Sequence, residues 1–275
     1  MRNFKSRKMF LHFGILLLLS EGVLGEGDVS EAIDGDSRII GGKDATPGMA
    51  NYQVSIRIHK RKREWHNCGG SIINEEYVLT AASCVYRMKR HILSIVVGRH
   101  AIDNGGDRYK IKKLIPHANY SNSVEKNNIA LIQIEGRFKF SDKVQPIELL
   151  KEMVPIGKKC LFTGFGYVDL RRQTVPNNLQ MLEYKTISND DCTKKFIRSP
   201  YSQFVPIDAG QLCAERQENK GACYGDFGGP LVIQNEKNKT VQIGVLSWVV
   251  PCARYYPEVF NSVHGFYNWI QSNIK

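Results

Sequence analysis

Gly225-Asp226-Phe227-Gly228-Gly229-Pro230 is the stretch on which the reading of this chain turns. Its middle residue, Phe227, has no proton to give up and no lone pair with which to attack. Outward from it stands an ordered series of short segments: Arg38-Ile39-Ile40-Gly41-Gly42, Cys68-Gly69-Gly70-Ser71, Leu79-Thr80-Ala81-Ala82-Ser83-Cys84, Asn127-Asn128-Ile129-Ala130-Leu131-Ile132, Gly164-Phe165-Gly166, Cys223 and Ser247-Trp248.

Between these segments the pattern is β. Tyr52, Val54, Ile56 and Ile58 alternate with Gln53, Ser55, Arg57 and His59, which predicts a strand with one buried face. Ser94–Val97 and Val241–Leu246 read as further strands. Val263, Phe266, Ile270 and Ile274 stand at helical spacing and predict a C-terminal helix. Ser188-Asn189-Asp190-Asp191 has the form of a capping box and marks the start of a short helix.

With 275 residues, 24% charged and 42% hydrophobic, the chain can bury a substantial core, and disorder is not indicated. Arg2, Lys5, Arg7 and Lys8 precede the apolar run Met9–Leu19 and small residues around Gly22 and Gly25, the layout of a secretory signal peptide over 1–25. The run falls short of the ~20 apolar residues that a spanning helix needs. Residues 26–38, with Glu26, Asp28, Glu31, Asp34 and Asp36, read as a short acidic propeptide. Export makes disulfides the expected use of the seven cysteines, and an odd number leaves one over. No Cys/His pair has the spacing of a metal site, so no metal is expected, and no cofactor.

Taken in order and at this spacing, the segments resemble the chymotrypsin/trypsin family of serine proteases, over Ile39 to Lys275. The resemblance implies an all-β fold of two packed antiparallel six-stranded β-barrels with a C-terminal α-helix, and assigns 39–275 to that domain. It also implies a histidine at 83, an aspartate at 128 and a serine at 227, where this chain has Ser83, Asn128 and Phe227. Losing the nucleophile or the base alone costs ~10⁶ in turnover in a related mechanism. The expectation is therefore a chain that is not an enzyme, with no nucleophile and base pair in the sequence to rebuild the chemistry. Asparagine at 128 keeps the shape of the acid without its charge, and Phe227 is expected to fill or cap the former site.

Further implications attach to particular residues. Cleavage after Arg38 would free the amine of Ile39 for Asp226, and Gly225 with the backbone of 227 would present oxyanion-hole N–H groups. Gly221 stands where a trypsin has its specificity acid, while Val249 and Glu258 stand where open-pocketed relatives have glycines. Arg99 replaces a carboxylate of calcium-binding relatives. The implied disulfides are Cys68 with Cys84, Cys192 with Cys213, and Cys223 with Cys252, leaving Cys160 either as a buried inert thiol or in an intermolecular bridge. His66 and His117 match histidines with packing or hydrogen-bonding roles.

Charge supplies a separate clue. Removing residues 1–38 takes away five bases and six acids and leaves a net charge of +12. Arg57, Lys60, Arg61, Lys62 and Arg63, with His59, form one basic run; Arg87, Lys89 and Arg90, with His91, form a second. A joint patch would attract glycosaminoglycans, anionic surfaces or an acidic protein, whereas nucleic acid is disfavoured because the runs lack interleaved aromatics. Asn119-Tyr120-Ser121 and Asn238-Lys239-Thr240 are glycosylation acceptors on an exported chain. The leading expectation is a secreted serine protease homologue that binds extracellular proteins, as cofactor, decoy or regulator in a protease cascade. The alternative is a cationic polyanion- or microbial-surface-binding protein resembling azurocidin.

Overall fold

The computed structural model describes residues 40–274, leaving out 62, 104 and 251. The expected signal peptide and propeptide, Arg38 and Ile39 lie outside the described residues. A short β1 (Lys43–Asp44) precedes the strands of the first sheet. These are β2 (Gln53–Lys60), β3 (Arg63–Ile72), β4 (Tyr77–Thr80), β5 (Leu93–Val97), β6 (Asp107–Tyr109), β7 (Ile111–Pro116) and β8 (Ala130–Ile134). They pair antiparallel in the order β6-β5-β2-β3-β4-β8-β7. Only Lys110 separates β6 from β7, so the sheet curls into a nearly closed barrel.

The second sheet holds β9 (Glu148–Leu149), β10 (Lys159–Gly164), β11 (Gln180–Ile187), β12 (Gln211–Glu215), β13 (Pro230–Gln234), β14 (Thr240–Trp248) and β15 (Glu258–Ser262). The order β11-β10-β13-β14-β15-β12 closes on itself through a β11–β12 pairing, giving a six-stranded barrel. β1 adds antiparallel to β11, and β9 lies parallel to β14. Closure removes the unpaired edges that an open sheet would expose. The all-β double barrel is thus the observed fold.

The expected one-sided strand at 52–58 needs correction. Gln53, Ser55 and Arg57, on the supposed outer face of β2, are all buried. The cause is tertiary: Thr163 Oγ1 of the other barrel donates to Gln53 Oε1 at 2.7 Å, His66 Nδ1 lies 2.8 Å from Ser55 Oγ, and Arg57 Nη1 donates to the Ile102 carbonyl at 2.8 Å. Each of these three side chains thus has a hydrogen-bond partner, as burial favours.

Two helices complete the chain. Ser188 Oγ caps α1 (Asn189–Phe196) by accepting from Asp191 N at 3.0 Å, as the capping pattern predicts. Ser262 caps α2 (Val263–Asn273), and Val263, Phe266 and Ile270 pack on Tyr77, Leu79, Ile129 and Leu131 of the first barrel. The C-terminal helix thereby returns from the second barrel to strap the first. The pairs Cys68–Cys84, Cys192–Cys213 and Cys223–Cys252 are bonded, and Cys160 is free and buried. No helix among the described residues is long and apolar enough to cross a membrane.

Candidate functional site

The loop at 225–229 keeps its tight shape because of its glycines. Gly225 has φ +97° and Gly228 φ +80°, and a Cβ on Gly228 would stand 2.1 Å from Thr80 Oγ1. Asp226 turns inward and is fully buried, accepting from Gly166 N at 2.8 Å and Cys223 N at 2.8 Å. Its carboxylate explains the Gly164-Phe165-Gly166 segment: a Cβ on Gly164 or Gly166 would lie 2.0 or 2.2 Å from it. Burial pushes the carboxyl up to about 7, against the pull of the two N–H groups. Beside it His66 bridges Ser55 and the Gly225 carbonyl, and burial drives its imidazole down to about 4.

Phe227 is half-buried and packs against the apolar clusters of both barrels, including Ala82 and Cys84 of the first and Ala222 and Val249 of the second. The ring occupies the seam between them. Ser83 is exposed on a short 3₁₀ turn, Ala82–Cys84. Fully buried Asn128 accepts from Ser83 N at 2.8 Å through Oδ1, and its Nδ2 donates to the Ser247 carbonyl at 3.1 Å. The amide so placed uses both its acceptor and its donors, which a carboxylate could not do.

That Nδ2 also donates to Glu125 Oε2 at 2.8 Å, a contact absent from the sequence reading. Burial pushes the Tyr120 hydroxyl up, with Glu125 and Ser83 as polar neighbours. Ser83, Glu125 and Asn128 are thus joined through the Asn128 amide. Burial pushes the Glu125 carboxyl up to about 7 even though Tyr120 donates to it.

Beside Glu258 stands a second residue that the sequence reading missed, Arg216. Glu258, with its side chain 1% exposed, lies with Oε1 3.0 Å from Nε of Arg216, itself 5% exposed. Arg216 Nε finds no hydrogen-bond partner, so this is a charge contact without N–H alignment. The guanidinium is clamped by the carbonyls of Tyr256 and Arg254, each 2.9 Å away. Glu258 also accepts from Ala222 N at 2.9 Å and from the Tyr184 hydroxyl. Burial raises its carboxyl despite Arg216. A Cβ on Gly221 would sit 2.7 Å from Glu258 Oε1 and 2.8 Å from Arg216 Nε, so the glycine makes room for the pair. Glu258 is thus not merely a side chain where relatives have glycine; its acid is neutralised internally by Arg216.

The sequence-predicted basic patch also changes membership. Arg57 is 6% exposed, ion-paired with Glu64 and bonded to the Ile102 carbonyl, so it belongs to the interior. Arg90 is held by the Ile111 carbonyl at 3.0 Å and by Glu135 at 3.3 Å. Lys62 lies outside the described residues. Lys60, Arg61, Arg63, Arg87 and Lys89 make no ion pair among the described residues, and exposed Trp65 stands beside the first three. Arg99 donates to the Ile102 carbonyl. Asn119 and Asn238 are both exposed.

Residues 39–270 match the family model described as Trypsin. The chain belongs to the trypsin family. It is 34% identical to chymotrypsin-2 of Vespa crabro, over 86% of this chain and 99% of that protein. It is 35% identical to the clotting factor G beta subunit of Tachypleus tridentatus, over 86% of this chain and 79% of that one. Trypsin delta of Drosophila melanogaster matches at 31% over 96% and 99% of the two chains. These comparisons overturn the expectation that the chain is not an enzyme: its relatives are named as proteases, and its family points toward protease ancestry and activity. What the geometry adds is local: Asn128 accepts from Ser83 N, and Phe227 packs between the apolar clusters of the two barrels.

Proposed function

We propose that this trypsin-family chain is secreted and acts by binding another extracellular protein, as a cofactor, decoy or regulator in a protease cascade. The observation that carries the reading is the apolar side chain at 227, packed against the clusters of both barrels, together with the buried Arg216–Glu258 pair. Around it stand exposed aromatic side chains, Tyr86 at 36% and Tyr224 at 44%, with Tyr255 at 80% on the loop that clamps Arg216. Large rigid aromatics of this kind supply binding area at low entropic cost and dominate protein interfaces. The relative named as a clotting factor subunit supports a cascade setting. Under this reading residues 1–25 are a signal peptide and 26–38 a propeptide, and cleavage after Arg38 delivers the Ile39 amine to Asp226.

The test is capture of extracellular proteins by the immobilised mature chain, run beside folded Tyr86→Ala and Tyr224→Ala variants. A partner retained by the parent and lost by these variants supports the reading. Equal retention by all forms, or no partner retained by the parent, overturns it.

A second reading has its own observation. Lys60, Arg61, Arg63 and Trp65 line an open hollow of about 810 Å³ at the tip of the β2–β3 hairpin. Unpaired bases beside an exposed aromatic suit a sulfated glycan, with the ring against the sugar and the bases on the sulfates.

A further inference from the structure

The second barrel carries a groove that binding through the exposed aromatics leaves unused. It encloses about 960 Å³ along β1, β10, β11 and β13. None of its lining residues belongs to the 82–84 turn, the 117–128 loop or the loop at 225–229. Ligand pockets span ~300–1,000 Å³ and combine an apolar wall with a few placed polar groups.

The apolar wall follows from alternation, since successive side chains of a strand point to opposite faces. On β10 and β11, Cys160, Phe162, Leu182 and Tyr184 join the apolar cluster of the barrel interior. Leu161 and Met181, between them in sequence, join a separate cluster with Tyr52 and Val232. Leu161 also pairs with Val232 across the β10–β13 ladder. Leu161 and Met181 are only half-buried, and Met49, on the same groove, is 37% exposed. Apolar surface left open inside a polar rim is characteristic of a ligand groove.

The rim is cationic. Lys43, Lys159, Lys185 and Lys220 line the groove, and none of them makes an ion pair among the described residues. Of the other charged lining residues, Glu215 is paired with Lys195 at 2.9 Å and Arg216 with Glu258 at 3.0 Å. That leaves Glu183 as the one unpaired acid among the described residues of the lining. Lys159 and Lys185 stand directly opposite each other on β10 and β11. Like charges so placed repel, and an anion between them replaces that cost by attraction.

We propose that this groove binds a long-chain fatty acid, with the hydrocarbon chain against Leu161, Met181 and Val232 and the carboxylate between Lys159 and Lys185. A purely polar anion would leave the apolar wall uncovered, and a neutral lipid would leave the lysines unanswered. Each lysine ammonium is a compact charge with three donors, so the pair can serve both carboxylate oxygens. The site stands apart from Phe227 and does not depend on the chain binding a protein.

The experiment is isothermal titration calorimetry of the mature chain with oleate at pH 8, below the concentration at which oleate forms micelles. Expected is saturable one-to-one binding. Each buried methylene lost weakens binding about fourfold, so laurate, six carbons shorter, should bind at least tenfold more weakly even if only two of the missing carbons were in contact. Lys159→Gln combined with Lys185→Gln should weaken oleate binding about tenfold or more, because two charge-assisted contacts are lost. Lys112→Gln combined with Lys113→Gln, at two exposed positions of β7 outside the groove, should bind oleate as the parent does. No saturable binding, laurate within tenfold of oleate, unchanged binding by the Lys159/Lys185 variant, or an equal loss in both lysine variants each overturn the proposal.

Discussion

Replacing Arg216 by alanine isolates the buried ion pair beside Gly221. The change leaves Glu258, 1% exposed, with Ala222 N and the Tyr184 hydroxyl as hydrogen-bond partners and no other ion pair among the described residues. Breaking a buried pair by deleting one partner costs ~3–5 kcal/mol, because the remaining charge is uncompensated. For a domain of this size each kcal/mol moves the melting temperature by ~2–4 °C, so a drop of roughly 6–20 °C is expected at pH 8. The sign of the pH dependence follows from the direction of the shift. Burial raises the folded-state carboxyl of Glu258 even with Arg216 present, and more so without it. A raised acid contributes its stability below the unfolded-state value and loses it as pH rises, so the deficit should shrink toward pH 5. The paired variant Arg216→Met with Glu258→Leu should melt within ~2 kcal/mol of the parent, since apolar groups can replace a buried ion pair without loss. Thermal unfolding followed by circular dichroism at pH 5 and 8 reads all three chains. An Arg216→Ala chain melting within 2 °C of the parent at both pH values would refute the role given to the pair.

Asp226 predicts a contrast between cleaved and uncleaved protein. Its folded value of about 7 lies above the ordinary 3.8, so the uncleaved chain loses stability as pH rises from about 4 to about 7. Once Ile39 supplies an amine that loss should disappear. Melting curves of the cleaved chain and of an uncleavable Arg38→Gln chain between pH 4.5 and 8 check this, and parallel pH profiles would exclude the switch. The Cys160 thiol, pushed up to about 12 by burial, should resist a thiol reagent in the folded state at pH 8 and react on unfolding. Substituting Lys60, Arg61 and Arg63 by glutamate should abolish heparin retention. The Arg57→Gln change should instead lower stability, because Arg57 is interior. Retention of the triple variant at unchanged salt would remove the hairpin as a polyanion site.

Some of the site was legible because its causes are local. The glycines at 225 and 228 answer to backbone conformation, and Phe227, Ser83 and Asn128 could be placed from short segments at fixed spacing. Glu125 was not legible, because only two positive-φ residues and the folded loop at 117–128 turn it into the cleft. Nor was Arg216, whose partner stands 42 positions away in sequence on a different strand. The error over Arg57 has the same origin: a basic run reads as surface until a loop from Ile102 and the side chain of Glu64 cover one of its members.

By itself the sequence settled the family, the presence of a strand beginning near Tyr52 and the helix caps, all properties of residues near one another along the chain. Which charges meet in the interior was decided only by the tertiary structure. A buried carboxylate's state depends on what the fold brings within a few ångströms of it. That placed a cation against Glu258, two backbone donors against Asp226, and only neutral groups against Glu125. Phe227 itself shows both levels at once: its identity rules out attack, while its place between two barrels shows where the ring went.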